Sequence, residues 1–455
     1  MVIERASGAG TPKVTGRGTQ NFLLLLPMTF FSQGAEIERL VREFSVEFDS
    51  FALGYGQLVF YTALIAVFLC SLFLIIARSY KDPYEKAMRE LDPQKRLEPL
   101  VSFFVAVHNE KQLIGDCVNS MLAQTYQNRE IFVVNDASND GTADILEQEF
   151  GRNPEVQLIN LNTNVGKKHA LAKAIRMAKG EIFAFTDSDC IWKEDAIERV
   201  IAIFENEPDV GAISGHCNAR NANTNVLTKM QDVWYERQYR FRKGFESVFR
   251  SVSCVSGPLA CYRRAAIYNC IQGWENDTFL GQEFRFATDR TMTGFVLGGA
   301  TLGLADRNWD VVYSRSAQAW TIVPDTPKKM MAQRIRWNKS FIRNLFFTGR
   351  FYWRQPILPA LYYYIHVLYV FTAPILVMVF IAWLLFQGHF LLLAACFIAF
   401  ILMSTGMNLV FAPNNRWQLG PIINLLYLMT LPWLLFYSIA TIKNMEWIRE
   451  NMEVE

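Results

Sequence analysis

Long apolar runs near both ends of the chain enclose a polar middle. The first run covers residues 58–77, and the C-terminal third carries three more at 357–386, 390–411 and 421–442. A helix needs roughly 20 consecutive apolar residues to cross the hydrocarbon core of a bilayer. The run at 357–386 is longer than that and Pro432 interrupts the last run, so we expect tilt or a break in both. The sequence therefore predicts a multi-pass membrane protein.

Basic residues beside these runs predict the orientation of the polar middle. Arg39 and Arg42 lie shortly before the first run, whereas a denser set of cations follows it. These cations are Arg78, Lys81, Lys86, Arg89, Lys95 and Arg96. A second set precedes the run at 357, namely Lys328, Lys329, Arg334, Arg336, Lys339, Arg343, Arg350 and Arg354. Because loops rich in Lys and Arg stay on the cytoplasmic side, the polar middle is expected in the cytoplasm, at the plasma or inner membrane.

Shorter segments flank the apolar runs. Residues 1–20 are rich in Gly, Thr and Ser and predict a tail, and residues 21–31 are too short to span, which favours an interfacial segment. Residues 330–347 mix basic and large apolar side chains, a pattern typical of an amphipathic helix on the inner surface. Residues 443–455 lie outside if the last run spans the membrane, and in the cytoplasm if that run re-enters at Pro432. Hydropathy leaves both alternatives open.

Composition excludes several other classes of protein. The formal net charge of +2 gives no strongly basic face, so no nucleic-acid partner is expected. The 8 cysteines include no C-x-x-C pair, and the 5 histidines show no H-E-x-x-H spacing, which argues against a zinc site. A membrane enzyme is the natural expectation.

Short apolar runs alternate with helical patterns between residues 100 and 325. The runs include VSFFVAV, EIFVVND, VQLINL and EIFAFTD, and the helical patterns include EKQLIGDCVNSMLAQ and KKHALAKAIRMAKG. This alternation predicts an α/β domain with a largely parallel sheet, in which ligands bind beyond the carboxyl ends of the strands. Asp136 and Asp187 fall at such ends. Each of them alone is also explained as an ordinary turn or helix cap.

The triplet Asp187-Ser188-Asp189 is the strongest indication of a metal site. Two carboxylates one residue apart, with no cation beside them in the sequence, repel each other unless a metal relieves the repulsion. A hard divalent cation would do so, with substrate phosphate oxygens completing its coordination shell. The triplet predicts a Mg²⁺ or Mn²⁺ site, although the D-x-D pattern alone is a weak motif.

Three features downstream complete the candidate site. Gly257-Pro258 forces a turn after a short apolar run, and Asp289 sits beside Arg290 at a candidate helix start. Asp289 is either a surface ion-pair partner or a general base. The third feature is a set of side chains at i, i+3 and i+4, which share one helical face: Gln333, Arg336 and Trp337. A guanidinium forks onto diphosphate oxygens and an indole packs broadly, although an ordinary membrane-surface helix also carries Arg and Trp.

These motifs, in this order and with apolar runs on both sides, resemble the family-2 processive inverting glycosyltransferases. Within that family the chain is most similar to hyaluronan synthases. The resemblance covers roughly residues 100 to 447 and rests on VVNDASNDGT, the D-S-D triplet, VSGPLACYRR, ATDRTMT, QRIRWNKSFIRN and YSIATIKNMEW. It implies a cytosolic GT-A-like, Rossmann-like domain inserted between transmembrane helices, with amphipathic interface helices.

The resemblance also implies a role for each matching residue. Asp289 is expected to act as the catalytic base, and Asp189, assisted by Asp187, to hold Mg²⁺ or Mn²⁺ on the diphosphate. Gly257, Pro258 and Trp337 are expected to contact the acceptor. The residues expected to bind the nucleotide or the donor are His108, Asn109, Glu110, Asp136, Lys167, Lys168, Asp187, Asp189, Gln333, Arg336, Trp337 and Trp447. The implied partners are UDP-sugar donors, a growing polysaccharide or a lipid acceptor, and membrane lipids.

The predicted domain organisation follows from these assignments. It comprises a tail and interfacial segment (1–50), a transmembrane helix (51–78), the glycosyltransferase domain (79–328), interface helices (329–355), transmembrane or re-entrant helices (356–442) and a C-terminal tail (443–455). The polar cluster Tyr362-Tyr363-Tyr364 with His366 would line a polysaccharide path or, equally, form an interfacial aromatic belt.

The sequence departs from hyaluronan synthases beside the predicted base and after Trp447. Thr288 stands where they carry an acidic residue before the base, and Ile448-Arg449 follows Trp447 in place of glycine and threonine. From the resemblance we expect an enzyme that polymerises sugars from UDP-GlcNAc and UDP-GlcA. Because of these departures, a single-sugar chitin-like synthase and a non-processive lipid glycosyltransferase are kept as alternatives. A non-catalytic transport or scaffold protein is the remote alternative, since a fold does not fix a function.

Overall fold

The computed structural model describes residues 71–90, 98–412 and 416–444, together with isolated positions between 39 and 69. The chain divides into two compact units, residues 1–67 and residues 68–455, and the elements below belong to the second. The predicted tail and interfacial segment and Trp447 lie outside the described residues. Within the predicted span at 58–77, the structure describes residues 61, 64, 65, 67–69 and 71–77, and all of them are helical.

A mixed sheet of eight strands forms the centre of the molecule, in the order β3-β2-β1-β4-β7-β6-β10-β5. The pairs β1/β2, β2/β3, β1/β4 and β6/β10 are parallel, and β7 and β5 pair antiparallel with their neighbours. The strands, including a separate hairpin of β8 and β9, are β1 Val101–Val107, β2 Arg129–Asn135, β3 Val156–Asn160, β4 Ile182–Asp187, β5 Ile191–Trp192, β6 Val210–Ala219, β7 Ala260–Arg263, β8 Thr278–Phe279, β9 Gln282–Glu283 and β10 Asp310–Thr321.

Helices cover both faces of the sheet and continue beyond it. The α-helices are α1 Pro83–Glu90, α2 Ile114–Leu122, α3 Thr142–Phe150, α4 Lys167–Met177, α5 Ala196–Asn206, α6 Val226–Arg237, α7 Gly244–Val248, α8 Arg264–Ile267, α9 Ile271–Glu275, α10 Thr288–Gly298, α11 Pro327–Phe347, α12 Ile357–Phe386, α13 Phe390–Phe411 and α14 Leu419–Ala440. A π-helical segment, Gln238–Lys243, joins α6 to α7, and short 3₁₀ turns occur at Gly257–Leu259, Tyr268–Cys270, Thr348–Arg350 and Tyr352–Arg354.

The apolar strands are buried because both of their faces are covered. Successive side chains of a strand point to opposite faces, so Phe103 and Phe104 of β1 enter two different cores. Phe103 packs in the cluster that contains Val200 of α5, whereas Phe104 packs in the cluster that contains Ala174 of α4. A strand buried on both faces has a continuous apolar sequence such as VSFFVAV. The predicted α/β architecture is confirmed.

Three long apolar helices follow α11. By length and composition, α13 is the one unbroken helix in the described part of the chain that would cross a membrane. Helices α12 and α14 qualify only if each bent pair counts as one span, with bends of 42° between 357–373 and 375–386 and of 41° between 419–430 and 432–440. The second bend lies at Pro432, the position at which the sequence predicts a break.

Candidate active site

The carboxyl ends of three parallel strands meet at one edge of the sheet. Val107 of β1 pairs in register with Asn135 of β2, and Ala106 of β1 pairs with Asp187 of β4. Asp136 is the next residue after β2, so the acidic residues of both strands lie at the same edge. This is the edge at which open α/β sheets bind ligands.

Asp136 organises the loop that precedes α4. Its carboxylate oxygens accept hydrogen bonds from the backbone N–H groups of Val165, at 2.8 Å, and Gly166, at 2.9 Å. Gly166 has φ of 87°, a conformation that glycine adopts without steric cost. Asp136 is buried, and its own carbonyl oxygen lies 2.8 Å from Nδ1 of His108. The two predicted nucleotide-binding segments therefore touch at this residue.

The loops that follow β1 and β2 are bonded to each other. The backbone N–H of Asn109 donates to Oγ of Ser138 at 2.9 Å, and that of Glu110 donates to Oγ1 of Thr142 at 3.1 Å. Oδ1 of Asn109 accepts a hydrogen bond from the backbone N–H of Asn139. Asn109 has φ of 56°, a left-handed conformation that asparagine tolerates better than most residues. These bonds make a fixed wall beside Asp136.

Asp187 and Asp189 form the metal-binding candidate. One ligand atom from each of Asp187, Asp189 and Cys190 lies within 4.8 Å of the others. Burial and the neighbouring Asp187 raise the pKa of Asp189, and burial holds the pKa of the Cys190 thiol well above its usual value. A neutral thiol is a poor ligand for a hard cation, whereas paired carboxylates are good ones. The donor set fits Mg²⁺ or Mn²⁺ held by the two aspartates.

Lys167 supplies a positive charge to this pair. Its ammonium group forms an ion pair with Asp187. Burial opposes the charged form of Lys167, but Asp187 and Asp289 outweigh that effect and raise its pKa. The premise that no cation lies beside the D-S-D triplet is therefore wrong in three dimensions, because α4 starts at the carboxyl edge and brings Lys167 to it. The pair is partly neutralised by the chain itself, which weakens the repulsion argument for a metal.

Gly257 packs directly against Asp187. A Cβ atom at Gly257 would lie 2.6 Å from Oδ2 of Asp187 and 3.0 Å from Oδ1, closer than real contacts allow. The carbonyl oxygen of Pro258 accepts hydrogen bonds from Oγ1 of Thr186, at 2.9 Å, and Nε1 of Trp192, at 2.7 Å. These bonds hold the turn in place, so the predicted acceptor loop and the predicted metal ligand share one small space.

Asp289 lies in the first turn of α10. Its Oδ1 accepts a hydrogen bond from the backbone N–H of Arg290 at 2.8 Å, and Sγ of Cys254 lies 3.5 Å from its Oδ2. Burial and Asp289 raise the pKa of Cys254 to about 11, so Cys254 stays a thiol. The carboxylate is half-buried and within electrostatic reach of Lys167. The structure thus brings the predicted base towards the D-S-D pair.

Lys243 is a charged neighbour of this region that the sequence analysis missed. Its Nζ donates to Oγ of Ser214, at 2.7 Å, and of Ser256, at 2.6 Å. Burial lowers the pKa of Lys243 to about 8, although the nearby Cys254 and Asp289 favour its charged form. The sequence around Lys243, RQYRFRKGF, matches no motif. Only its burial near Asp289 distinguishes Lys243 from the other basic residues of this run.

Lys168 points away from Asp187. Its Nζ donates to Oδ2 of Asp277 at 3.0 Å and to the carbonyl oxygen of Phe284 at 2.7 Å. Asp277 also pairs with the guanidinium of Arg343 on α11. Burial lowers the pKa of Lys168 against the effect of Asp277. The structure therefore does not bring the two adjacent lysines together, and the nucleotide-binding role of Lys168 stays a prediction.

Helix α11 carries the last set of predicted residues. The helix includes Gln333, Arg336 and Trp337, which confirms that they share one helical face. The ring of Trp337 lies 6.0 Å from that of Trp234 on α6, with an angle of 25° between the planes. Within the motif, Arg334 is almost fully buried against these rings. No motif in the sequence indicates a separate role for Arg334.

Comparisons with known proteins agree with this architecture. A family model described as "Glycosyl transferase family 2" matches residues 102–270. The hyaluronan synthase of Streptococcus pyogenes is 30% identical over 361 residues, which are 76% of this chain and 82% of that protein. The N-acetylglucosaminyltransferase of Rhizobium meliloti (strain 1021) is 30% identical over 293 residues, 63% of this chain and 67% of that protein.

A solved structure shares the fold. The mannosyltransferase PcManGT from Pyrobaculum calidifontis, in complex with GDP-Man and Mn2+, superposes with a TM-score of 0.52 at 21% identity and covers 84% of this chain and 98% of its own. That likeness supports the GT-A-like, Rossmann-like α/β fold. The chain belongs to glycosyltransferase family 2, among the processive synthases that include hyaluronan synthase.

Proposed function

We propose that the protein polymerises sugars from UDP-sugar donors, UDP-GlcNAc and UDP-GlcA, by an inverting transfer, as hyaluronan synthase does. The observation that carries the proposal is the convergence of four predicted groups at one sheet edge. Asp187 contacts Lys167 and lies beside Gly257, and Asp289 lies within electrostatic reach of the same lysine. A sugar transfer from a diphosphate needs a carboxylate that acts as the base and positive charge that stabilises the leaving diphosphate. The acidic pair, Lys167, the turn at Gly257 and the separate carboxylate of Asp289 provide groups of these kinds in one place.

The reaction is a single displacement. The acceptor hydroxyl oxygen forms a bond to the anomeric carbon of the donor, and its proton passes to the carboxylate of Asp289. The bond between that carbon and the diphosphate oxygen breaks, and its electron pair leaves with UDP. A positioned base contributes about 10² to 10⁴ in rate. Asp289 suits this role because its Oδ2 contacts a neutral thiol rather than a cation among the described residues.

The remaining residues bind and orient the two substrates. Asp136 and the segment 108–110 hold the uridine, and Gln333, Arg336 and Trp337 cover the diphosphate and the acceptor sugar. A Mg²⁺ or Mn²⁺ ion held by Asp187 and Asp189 would supply positive charge to the leaving diphosphate. Lys167 stabilises the same charge by donating to phosphate oxygens when the donor displaces it from Asp187.

We also propose that the catalytic domain faces the cytoplasm and that α14 re-enters the membrane rather than crossing it. Before α14, Arg416 pairs with Asp232 of α6 at 3.1 Å. After α14, the carbonyl oxygen of Asn444 accepts a hydrogen bond from Nζ of Lys339 on α11 at 2.7 Å. Both ends of α14 therefore contact elements of the same polar side, which supports re-entry of α14 rather than a crossing.

Helices α12 and α13 support two spans by the same reasoning. The ring of Tyr363 near the start of α12 lies 4.5 Å from that of Tyr352, and Phe411 at the end of α13 lies 5.3 Å from Phe241. Tyr352 and Phe241 belong to segments attached to the sheet domain. The turn between α12 and α13, at 387–389, lies at the opposite end of both helices. These contacts support an outward and a returning helix.

The test is UDP release from the purified protein in detergent with Mn²⁺, using UDP-GlcNAc and UDP-GlcA singly and together. Strong release only with both sugars, with a polymer that hyaluronidase digests, is the expected result. Release with UDP-GlcNAc alone would favour the single-sugar alternative, which the Rhizobium relative also represents. The Asp289→Asn protein is the control for release by contaminating enzymes, and the absence of release from the wild type with any donor would refute the proposal.

A further inference from the structure

Arg334 occupies an unusual place inside the QRIRW segment. Only 3% of its surface is exposed. Its guanidinium carbon lies 4.2 Å from the ring centroid of Trp337, 4.5 Å from that of Trp234 and 5.0 Å from that of Tyr427. The guanidinium also donates a hydrogen bond to the hydroxyl of Tyr427. Three helices, α6, α11 and α14, therefore meet at one cation.

This cation has no carboxylate partner in the described part of the chain. Its Nε and Nη1 atoms are buried there without a hydrogen-bond acceptor. Burying an unpaired charge is costly, and the faces of aromatic rings are the compensation that the structure provides. An arginine that only filled space would be replaced at lower cost by an apolar side chain. The buried guanidinium therefore holds the three aromatic rings in fixed positions.

The ring that matters for the reaction is that of Trp337. The indole of Trp337 is half-buried, and it packs against Trp234 on one part of its surface and Arg334 on another. A third contact comes from Tyr235, whose ring centroid lies 6.2 Å away. These contacts fix the plane of the indole, and the part of the ring that remains open is the part on which an acceptor sugar would rest.

We propose that Arg334 is a positioning residue that sets the plane of Trp337 and thereby the orientation of the acceptor sugar. The proposal rests on the proposed function of this site. Arg334 does not touch the reacting atoms; it acts through the indole. Loss of the cation leaves the pair of Lys167 with Asp187 in place, because no hydrogen bond or ion pair links Arg334 to either residue in the described part of the chain. A loosely held acceptor then loses to water as the group that attacks the donor.

The discriminating readout is the ratio of donor hydrolysis to polymer formation. In Arg334→Gln this ratio is expected to rise roughly tenfold, which corresponds to about 1.4 kcal/mol and lies within the range of buried cation–π contacts. The KM for the donor is expected to change less than this ratio, because no hydrogen bond or ion pair of the described residues links Arg334 to Asp136, the D-S-D pair or Lys167, which provide most of the proposed donor contacts. Arg334→Lys keeps a cation near the rings and is expected to restore part of the wild-type ratio.

The matched control is Arg237→Gln. Arg237 is also a buried arginine that joins α6 to α14, through a 2.6 Å hydrogen bond from its Nη2 to Oδ1 of Asn424, but its bonds lead to the amides of Asn424 and Asn408 rather than to Trp337. Its hydrolysis ratio is expected to stay at the wild-type value even if its total activity falls. Equal ratios in Arg334→Gln and the wild type, or the same rise in both variants, would overturn the proposal.

Two further outcomes are distinguishable. If Arg334→Gln does not fold, Arg334→Lys carries the test alone, and it must raise the ratio by at least about twofold because an ammonium cannot contact several rings as a planar guanidinium does. An unchanged ratio in Arg334→Lys then overturns the proposal. Failure of the proposed function gives a different result, in which the wild-type protein releases no UDP from any donor or releases it from UDP-GlcNAc alone.

Discussion

Replacing Gly257 by alanine tests whether Asp187 is a metal ligand. The added Cβ would lie 2.6 Å from Oδ2, 3.0 Å from Oδ1 and 3.1 Å from Cγ of Asp187. The loop cannot retreat easily, because the Pro258 carbonyl is bonded to both Thr186 and Trp192. The carboxylate must therefore rotate away from the position that it shares with Asp189.

The expected effect has two parts. Overpacking a fixed space costs about 1–3 kcal/mol of stability. Moving a ligand by disturbing its neighbours lowers metal affinity or activity by roughly 10- to 100-fold. We expect Gly257→Ala to need at least about tenfold more Mn²⁺ for half-maximal UDP release, with partial recovery of the rate at high Mn²⁺, because the ligand is displaced and not removed.

The assay is UDP release as a function of Mn²⁺ concentration at saturating donor. Gly273→Ala is the matched control, because a Cβ at Gly273 would meet the nearest atom, Cζ of Phe295, at an ordinary 3.6 Å. That variant is expected to keep the wild-type Mn²⁺ dependence to within about twofold. A wild-type Mn²⁺ dependence in Gly257→Ala would refute the reasoning and would remove Asp187 from the metal site.

Three further substitutions test other residues of the site. Asp289→Asn is expected to lower transfer by at least about 10² while UDP binding, measured by calorimetry, stays nearly unchanged; loss of UDP binding would identify Asp289 as a nucleotide ligand instead. Arg336→Lys is expected to lower kcat roughly tenfold or more, because an ammonium cannot make the bidentate fork to a diphosphate; near-normal turnover would remove Arg336 from the site. Burial lowers the pKa of Lys243 to about 8, so its charge beside Asp289 is present below pH 8 and is lost above it. We predict that the positive charge of Lys243 supports the reaction at Asp289, so wild-type turnover should fall above pH 8. Lys243→Arg, which stays charged, should shift that fall upward in a pH–rate profile; superimposable profiles would contradict a role for this charge.

Sequence patterns predicted the parts of the site that depend on local structure. Strand ends place Asp136 and Asp187, a helix start places Asp289, and the i, i+3, i+4 spacing places Gln333 and its partners on one face. Each prediction needs only the period of one element and the rule that ligands bind at the carboxyl edge of a parallel sheet. The roles of these residues remain predictions, whereas the elements that carry them are confirmed.

Contacts between distant segments were not predictable in the same way. Lys167 and Lys168 look like one basic pair, yet adjacent residues of a helix diverge by about 100°, so one reaches Asp187 and the other reaches Asp277. Arg334 was missed because its contacts come from Trp234, about a hundred residues earlier, and from Tyr427, about ninety residues later. Nothing in the sequence around the motif indicates that Trp234 or Tyr427 contacts Arg334.

The two adjacent lysines connect the start of α4 to two different carboxylates. Lys167 pairs with Asp187 at the carboxyl edge of the sheet, while Lys168 pairs with Asp277, which also binds Arg343 on the helix that carries Trp337. Buried ion pairs of this kind add little net stability, because desolvation offsets most of their attraction. Their geometry matters more, because the carboxylate of Asp277 binds Lys168 at the start of α4 and Arg343 on α11 at the same time. The carboxylate of Asp277 therefore joins the start of α4 to helix α11, and in the proposed mechanism a donor that displaces Lys167 from Asp187 would change the contacts of the residue next to Lys168.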